Sequence, residues 1–224
     1  NYSSGTGTNT LTFNYTVAAG HTSTDLDYVA TSSLVCPAPS PGTPVYKDTS
    51  GLAEGVTVVG NYAYVADKTS GLAIIDISDP TNPGTPVYKD TSGQAYNVTV
   101  VGNYAYVADG SSGLAIIDIS DPTNPGTPVY KGISVEYWDV MVVGNYAYVA
   151  DYNGLSIIDV SDPTSPGTPV FKDTTGYSLG ITVVGNYAYV AVGSSGLAII
   201  DISDPTNPGT PVYKDTSGTA YNVT

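Results

Sequence analysis

The side chains with the clearest chemical potential are aspartates that recur in pairs, in the motif Asp-x-Ser-Asp-Pro. The pairs are Asp76/Asp79, Asp118/Asp121, Asp159/Asp162 and Asp201/Asp204. Calcium prefers several hard oxygen ligands, so calcium is the one cofactor that this pattern suggests. An aspartate before proline also commonly accepts hydrogen bonds from backbone N–H groups of its own turn. We favour the turn, because a further aspartate of the repeat gives way to Val192 in the fourth copy, which disfavours one ion per copy.

A second candidate site is a set of aromatic and acidic residues in segments that differ between copies. The set is Tyr96, Glu136, Tyr137, Trp138, Asp139, Tyr152 and Tyr177. Flat aromatic rings can cover the apolar faces of sugar rings, while carboxylates accept hydrogen bonds from sugar hydroxyls. Trp138 is the strongest single candidate, since it is the only tryptophan and its repeat position varies. The alternative is that these rings pack between the repeats.

Catalysis is not favoured by the residue inventory. Glu136 and Asp139 would suit a glycosidase only at the right carboxylate separation, which a sequence does not give. The single histidine, His21, leaves no His-pair metal site and little basis for a Ser-His-Asp triad. The single cysteine, Cys36, excludes a disulfide framework or cysteine-ligated zinc within the chain. We therefore expect a protein that is not an enzyme.

Charge and hydropathy exclude further classes. The 224 residues include 20 acidic and only 6 basic residues, all lysines, which gives a net charge of −14. Nucleic-acid binding relies on basic patches and is not expected. Hydrophobic residues make up 41% and charged residues 12%, so the chain can bury a core and is not predicted to be disordered. The sequence lacks an apolar run long enough to span a membrane.

Near-identical repeats position these residues. The string Gly-Asn-Tyr-Ala-Tyr-Val-Ala begins at Gly60, Gly102, Gly144 and Gly185. The string Pro-Gly-Thr-Pro-Val-(Tyr/Phe)-Lys begins at Pro41, Pro83, Pro125, Pro166 and Pro208. The pattern therefore recurs every 41 or 42 residues over 41–224.

Each repeat predicts four short strands. In the second copy they are Asn97–Val101, Tyr104–Ala108, Leu114–Ile119 and Thr127–Lys131. β-Branched and aromatic residues dominate them, and Gly102-Asn103 between the first two is a hairpin signal with glycine at a position that tolerates positive φ. Helical periodicity is absent, so the sequence predicts an all-β fold.

Four strands in about 40–45 residues are typical of a β-propeller blade. Leu114 and Ile116 point to one face and Ala115 and Ile117 to the other, so both faces of the sheet are apolar. A face of large side chains can interlock with a neighbour's face of small ones. Four complete blades are present, with a last strand before them at 41–48 and a first strand after them at 220–224. A ring of few blades, a longer chain and an open array all remain consistent with this.

The segment Leu114-Ala115-Ile116-Ile117-Asp118-Ile119-Ser120-Asp121-Pro122 and its sister copies resemble the LVIVD repeat of bacterial and archaeal cell-surface proteins. That resemblance implies a β-propeller, usually on a secreted or surface-anchored protein, and no settled biochemical activity.

The N-terminal segment differs from the repeats. Leu11–Val17 alternates apolar and polar residues as a strand does, and 26–30 predicts a second, looser strand. These stretches resemble the closing strands of Ig-like or cadherin-like modules in bacterial adhesins. We interpret residues 1–35 as a partial Ig-like domain or a donated strand, and 36–40 as a Pro-rich linker. Both ends of the chain are expected to be cut from a longer protein or completed by a neighbour.

The connections predict one generic and one individual rim. Antiparallel strands place Gly-Asn and Asp-Pro-Thr-(Asn/Ser)-Pro-Gly on one rim, where all copies agree. The hairpins at 67–70, 109–112, 151–153 and 192–195 lie on the other rim with the blade-to-blade segments, and these vary. Binding residues are usually found on loops of a rigid scaffold. The variable rim is therefore the expected binding surface.

Four asparagines begin Asn-x-Ser/Thr sequons and are candidate glycosylation sites. They are Asn1, Asn14, Asn97 and Asn222. The last two share a repeat position with Gly55, Asp139 and Gly180, and this residue preference predicts a positive φ there.

The leading hypothesis is a non-enzymatic extracellular or cell-surface glycoprotein with a structural or adhesive role. Near-identical blades and unfinished strands suit self-association through strand edges or repeats, into a fibre or surface layer. The alternative hypothesis is a carbohydrate-binding module that uses the variable rim.

Overall fold

The computed structural model describes residues 43–132 and 135–224, and two short N-terminal strands. These are β1 (Tyr2–Ser4) and β2 (Thr12–Phe13), which pair antiparallel. The chain divides into two compact units, Asn1–Pro44 and Val45–Thr224. The predicted strand at 26–30, the linker at 36–40, and the residues Asn1, Asn14, His21 and Cys36 lie outside the described residues.

The second unit consists of four antiparallel sheets that follow one another along the chain. Sheet 1 contains β3 (Gly55–Val59), β4 (Tyr62–Ala66), β5 (Leu72–Asp76) and β6 (Val87–Lys89). Sheet 2 contains β7 (Asn97–Val101), β8 (Tyr104–Ala108), β9 (Leu114–Asp118) and β10 (Val129–Lys131). Sheet 3 contains β11 (Tyr137–Val143), β12 (Tyr146–Asp151), β13 (Gly154–Asp159) and β14 (Val170–Asp173). Sheet 4 contains β15 (Gly180–Val184), β16 (Tyr187–Ala191), β17 (Leu197–Asp201) and β18 (Val212–Lys214).

The predicted all-β fold and four strands per repeat are confirmed. The first two strands of the second copy have the predicted bounds, and the third ends one residue early, at Asp118. The fourth begins at Val129 and not at Thr127, because proline at position 128 has no N–H to donate to a ladder. Gly102 has a φ of +58°, and Val101 pairs with Tyr104 across it, as a two-residue hairpin requires.

The core lies between the sheets, where two unlike faces meet. The tyrosine face of a sheet carries, in sheet 2, Tyr104, Tyr106, Leu114, Ile116 and Val129. The valine face carries, in sheet 2, Val98, Val100, Ala105, Val107, Ala115 and Ile117. In each of three buried clusters, the tyrosine face of one sheet packs on the valine face of the next. The predicted pairing of large with small side chains is therefore confirmed.

The first strands of the sheets, β3, β7, β11 and β15, lie side by side. The hydroxyl of Thr57 donates to the carbonyl oxygen of Val98 over 2.7 Å, and that of Thr99 donates to Val140 over the same distance. These bonds join successive sheets at their inner strands, so the sheets are arranged as the blades of a propeller.

The predicted positive φ at the shared Gly/Asn/Asp position is wrong. Neither Gly55 nor Asn97, nor their counterparts in the other copies, has one. A Cβ on Gly55 would lie 3.0 Å from the Cα of Asn97, and one on Gly180 would lie 2.8 Å from the Cα of Asn222. Glycine at positions 55 and 180 allows the adjacent inner segment to approach closely.

Asp139 occupies the same position in sheet 3 and joins two sheets. One carboxylate oxygen accepts the N–H of Val140, and the other accepts the N–H of Ile181 in sheet 4, both over 2.8 Å. Burial raises the pKa of Asp139, while these two N–H donors and the Asn97 side chain oppose the rise.

The sheet-to-sheet core predicts unequal effects for two chemically identical substitutions. Ile116 is 1% exposed beneath sheet 3, whereas Ile199, at the same repeat position in sheet 4, is only half-buried. Ile116→Ala should lower the free energy of unfolding by about 2–5 kcal/mol, since it leaves a cavity. Ile199→Ala should cost distinctly less. Urea unfolding of dilute, monomeric protein, followed by circular dichroism, measures both; equal losses would contradict the role of sheet-to-sheet packing.

Asp139 also predicts a pH dependence. Because its pKa is raised in the folded state, the folded protein binds the proton more readily, and its stability falls as the pH rises from about 4 through that pKa. Asp139→Asn removes this titration, and the loss of one acceptor should destabilise the protein by about 1–3 kcal/mol at neutral pH.

Urea midpoints between about pH 3 and pH 7 measure this effect. The stability advantage of the wild type over Asp139→Asn should grow as the pH falls towards 4. Asp118→Asn is the matched control, because hydrogen bonds from Ser120 lower the pKa of Asp118. The wild-type advantage over this control should shrink at the acid end. A pH-independent difference for Asp139→Asn would contradict the assignment.

Candidate functional site

The paired aspartates organise their own turns. An oxygen of Asp118 accepts the N–H of Ser120 over 2.8 Å. An oxygen of Asp121 accepts the N–H and the hydroxyl of Thr123 over 3.0 and 2.6 Å. The hydrogen bonds lower the pKa of both carboxyl groups, and every copy repeats the arrangement. The predicted turn chemistry is confirmed. Within the described residues, no three His, Cys, Asp or Glu side chains converge as metal ligands would.

A second kind of aspartate secures the opposite rim. Asp109 is fully buried, and it accepts the hydroxyl of Thr91 over 2.6 Å and the N–H of Gly93 over 2.8 Å. Burial raises the pKa of Asp109, and both hydrogen bonds oppose the rise. Asp67 holds Thr49 and Gly51 in the same way. Each of these aspartates fixes the segment that leads into its own sheet.

The two rims have the predicted composition. The N–H of Lys68, in a β4–β5 hairpin, donates to the carbonyl of Ala95, in the segment between sheets 1 and 2. At the other end, the N–H of Ile119 donates to the carbonyl of Asn103. The variable hairpins and the blade-to-blade segments therefore share one rim.

Three residues of the predicted binding set form an aromatic cluster on that rim. Tyr152 in the β12–β13 hairpin and Tyr177 before β15 have ring centroids 4.5 Å apart, and the Tyr152 hydroxyl donates to the Tyr177 hydroxyl over 3.0 Å. Trp138 on β11 lies 6.0 Å from the Tyr152 ring and meets the Tyr177 ring edge-on at 6.1 Å. Tyr152 is 42% exposed and Tyr177 51% exposed. We call Trp138, Tyr152 and Tyr177 the aromatic triad.

Two open depressions adjoin the aromatic triad. One of about 510 Å³ is lined by Tyr152, Asn153, Asp173, Thr174, Gly176 and Tyr177. The other, of about 390 Å³, lies among the inner strands and is lined by Glu54, Tyr96, Asn97, Trp138, Asp139, Leu179, Tyr221 and Asn222. The triad thus supplies apolar rings beside the carboxylate, amide and hydroxyl groups of Asp173, Asn153 and Thr174.

Tyr137 and Asp139 are buried side chains of the predicted binding set. Tyr137 is completely buried in the core between sheets 2 and 3, where its hydroxyl donates to that of Ser156 over 3.3 Å. Asp139 is buried, and its two oxygens already accept backbone N–H groups. The structure therefore places both side chains in the sheet-to-sheet packing, and of the two only Asp139 also borders the depression of about 390 Å³.

Tyr96 lines the depression of about 390 Å³ together with Trp138, whereas Glu136 lines a different depression. The ammonium of Lys68 sits 3.7 Å from the centre of the Tyr96 ring and 3.3 Å from a carboxylate oxygen of Glu54. Glu136 lines a depression of about 310 Å³ with Thr69, Ser92, Gly93, Gln94, Gly110 and Ser111. The structure therefore divides the predicted set into separate sites. Glu136 and Asp139 line different depressions.

The described sequons differ in their surroundings. Asn97 is half-buried at the start of β7, among the inner strands, whereas Asn222 is exposed. N-glycosylation of either stays a prediction.

Sequence comparison of the repeats missed the polar lining of the larger depression. Asp173 and Thr174 match residues that recur in other copies, so a comparison of the repeats does not single them out. Only Asn153, which lies in a variable hairpin, could be identified in this way. Their significance comes from the two tyrosines that lie beside them in sheets 3 and 4.

Within the described residues, no helix has the length and apolar character needed to cross a membrane. The fold is similar to that of several solved structures. The computationally designed Ika4 protein matches with a TM-score of 0.55 at 8% identity, over 69% of this chain and 94% of that one. The Swd1 β-propeller domain of Myceliophteria thermophila matches with a TM-score of 0.57 at 12% identity, over 73% and 58%. AztD of Citrobacter koseri matches with a TM-score of 0.51 at 17% identity, over 76% and 48%.

The chain therefore spans about half the length of AztD and under two thirds of the Swd1 domain. At these identities the likeness shows the β-propeller fold alone. Among curated proteins, no sequence matches this chain. The LVIVD repeat, by contrast, matches residues 50–87, 92–128, 136–170 and 175–212, which is more than half of the sequence. The chain belongs to the LVIVD repeat family.

Proposed function

We propose that this protein is a non-enzymatic structural or adhesive component of the cell surface, whose propeller repeats associate with further copies into a fibre or surface layer. One observation carries the proposal. Val56 and Val58 on the inner strand of sheet 1 are 64% and 58% exposed, whereas Val98, the counterpart of Val56, is 1% exposed. An apolar patch of this kind on a folded domain marks an interaction surface.

The repeats themselves support association with like molecules. Their turns are nearly invariant, as the hydrogen bonds of Asp118 and Asp121 and their counterparts show. A surface repeated at regular spacing offers equivalent contacts to many copies, whereas an active site needs one asymmetric arrangement. Head-to-tail contacts that do not close produce filaments.

Self-association is tested with the purified 224-residue chain. Light scattering after size exclusion should give a mass that rises with protein concentration, and negative-stain images should show assemblies of regular repeat. The experiment should be run at high salt, because each copy carries a net charge of −14 and like charges repel. Only monodisperse single chains at high concentration would overturn the proposal.

A second candidate function, carbohydrate binding, is favoured by the aromatic triad. The exposed rings of Tyr152 and Tyr177 offer apolar surfaces beside Asn153, Asp173 and Thr174, which can bond to sugar hydroxyls. Adhesion to glycans is compatible with a structural role, since the triad lies on a rim and leaves the faces of the terminal sheets free.

Glycan binding is tested on a glycan array with the wild type, Trp138→Ala and Tyr177→Ala. Both variants should lose at least about tenfold in apparent affinity, because each removes a stacking surface. Tyr46→Ala is the matched control, since Tyr46 is 87% exposed and lies outside the triad. Absence of any ligand, or equal binding by all variants, would remove this function.

A further inference from the structure

We propose that a second copy of this chain docks head-to-tail, with the valine face of its sheet 1 on the tyrosine face of sheet 4. The inference rests on the self-association proposed above, and it names the surfaces that carry it. It concerns the faces of the terminal sheets and not their strand edges.

Within the described residues, the valine face of sheet 1 is less covered than its counterparts in the other sheets. Its buried part is the small cluster of Val65, Ala73 and Ile75, which contains residues of sheet 1 only. Val56 and Val58 on the inner strand β3 are exposed. In sheets 3 and 4 the counterparts of Val56, Val140 and Ile181, are buried. The first three strands of the face present no charged side chain.

Among the described residues, the tyrosine face of sheet 4 is also less covered than its counterparts. Tyr189, Leu197 and Ile199 are half-buried, although the same three positions are fully buried in sheets 1, 2 and 3. Val212 on β18 is 67% exposed, while its counterpart Val87 packs against the cluster between sheets 1 and 2.

The three internal interfaces identify the occupant. Each joins a tyrosine face to a valine face, and none in the described residues joins two faces of one kind. The terminal faces carry the same residue types as those interfaces, in the same register. A second copy can therefore supply a valine face to the tyrosine face of sheet 4, as sheets 2, 3 and 4 do for the sheets that precede them. It can equally supply a tyrosine face to the valine face of sheet 1.

Residues 220–224 lie along the inner border of the tyrosine face of sheet 4. Docking of sheet 1 from a second copy must displace them. Ala220 bridges to Gly193 as Ala95 bridges to Lys68, and a Cβ on Gly180 would lie only 2.8 Å from the Cα of Asn222. This segment thus takes the place of residues 53–57 of a following sheet. Residues 220–224 leave Tyr189, Leu197 and Ile199 only half-buried. A docked sheet 1 would cover these three side chains with four strands. The exchange therefore buries more apolar surface than it releases.

Two face variants and a control test the proposal. Val58→Glu places a charge on the valine face and Val212→Glu places one on the tyrosine face, and both positions are exposed in the single chain. Val101→Glu is the control, since this position is exposed in all four sheets. Circular dichroism and thermal unfolding establish that the variants fold like the wild type.

Sedimentation velocity at high salt gives the expected results. Each face variant alone should associate at least about tenfold more weakly than the wild type, because a buried charge is left unpaired. An equimolar mixture of the two should form a 1:1 complex, because one intact face of each kind remains. Val101→Glu should associate like the wild type, and deletion of 220–224 should strengthen association.

Other outcomes overturn the inference in distinguishable ways. If the wild type associates and neither face variant weakens it, strand edges or another surface carry the contact, and the proposed function stands without this docking mode. If only one variant weakens association, or the mixture forms no complex, the contact is not head-to-tail. A wild type that stays monomeric overturns both the inference and the proposed function.

Discussion

A sheet that is apolar on both faces must be covered on both faces, and this requirement organises the whole repeat region. In sheet 2, Ile116 contacts the sheet that follows and Ile117 the sheet that precedes, so both neighbours are needed to bury adjacent residues of one strand. Because the side chains of the two faces differ in size, the tyrosine face of each sheet packs on the valine face of the next sheet. The first sheet of the series therefore presents a valine face at one end, and the last sheet presents a tyrosine face at the other.

The same requirement separates the two rims. On one rim the turns of Asp118 and Asp121 are closed by their own side chains, so they need nothing from the neighbouring sheet. On the other rim the chain passes between sheets, and Asp109 holds the incoming segment through Thr91 and Gly93. Once this anchor is set, the residues around it can vary without loss of the fold. Binding residues can therefore accumulate there.

Strands, turns and the unlike faces could be predicted from the sequence because they depend on local spacing. Gly102 marks its hairpin, and the alternation of Leu114 with Ala115 gives the faces. The role of Gly55 could not be predicted in this way. Its lack of a side chain leaves room for the backbone of Asn97, which is 42 residues away in the sequence, and does not serve a turn of its own. In the candidate site, the proximity of Tyr152 to Tyr177 could not be read from the repeats. The two tyrosines lie in different sheets and meet only after stacking.

Sheet 3 differs from the other sheets in the hydrogen bonds beneath its variable rim. The segment that leads into this sheet has Ile133 where the others have threonine, so Asp151 lacks the usual hydroxyl donor by sequence. Asp151 instead accepts the hydroxyl of Ser156, which stands where sheets 1, 2 and 4 have alanine, and Ser156 in turn accepts the hydroxyl of Tyr137.

Tyr137 stands at the repeat position that Ala95 has in sheet 2, and its ring lies in the core between sheets 2 and 3. The register of β11 is irregular between Tyr137 and Asp139, and the half-buried Trp138 between them lies on the variable rim. There it meets the Tyr152 ring of its own sheet and the Tyr177 ring of the next one. Adjacent residues of β11 thus serve two purposes: Tyr137 fills the core between sheets 2 and 3, and Trp138 joins two sheets through ring contacts on the rim.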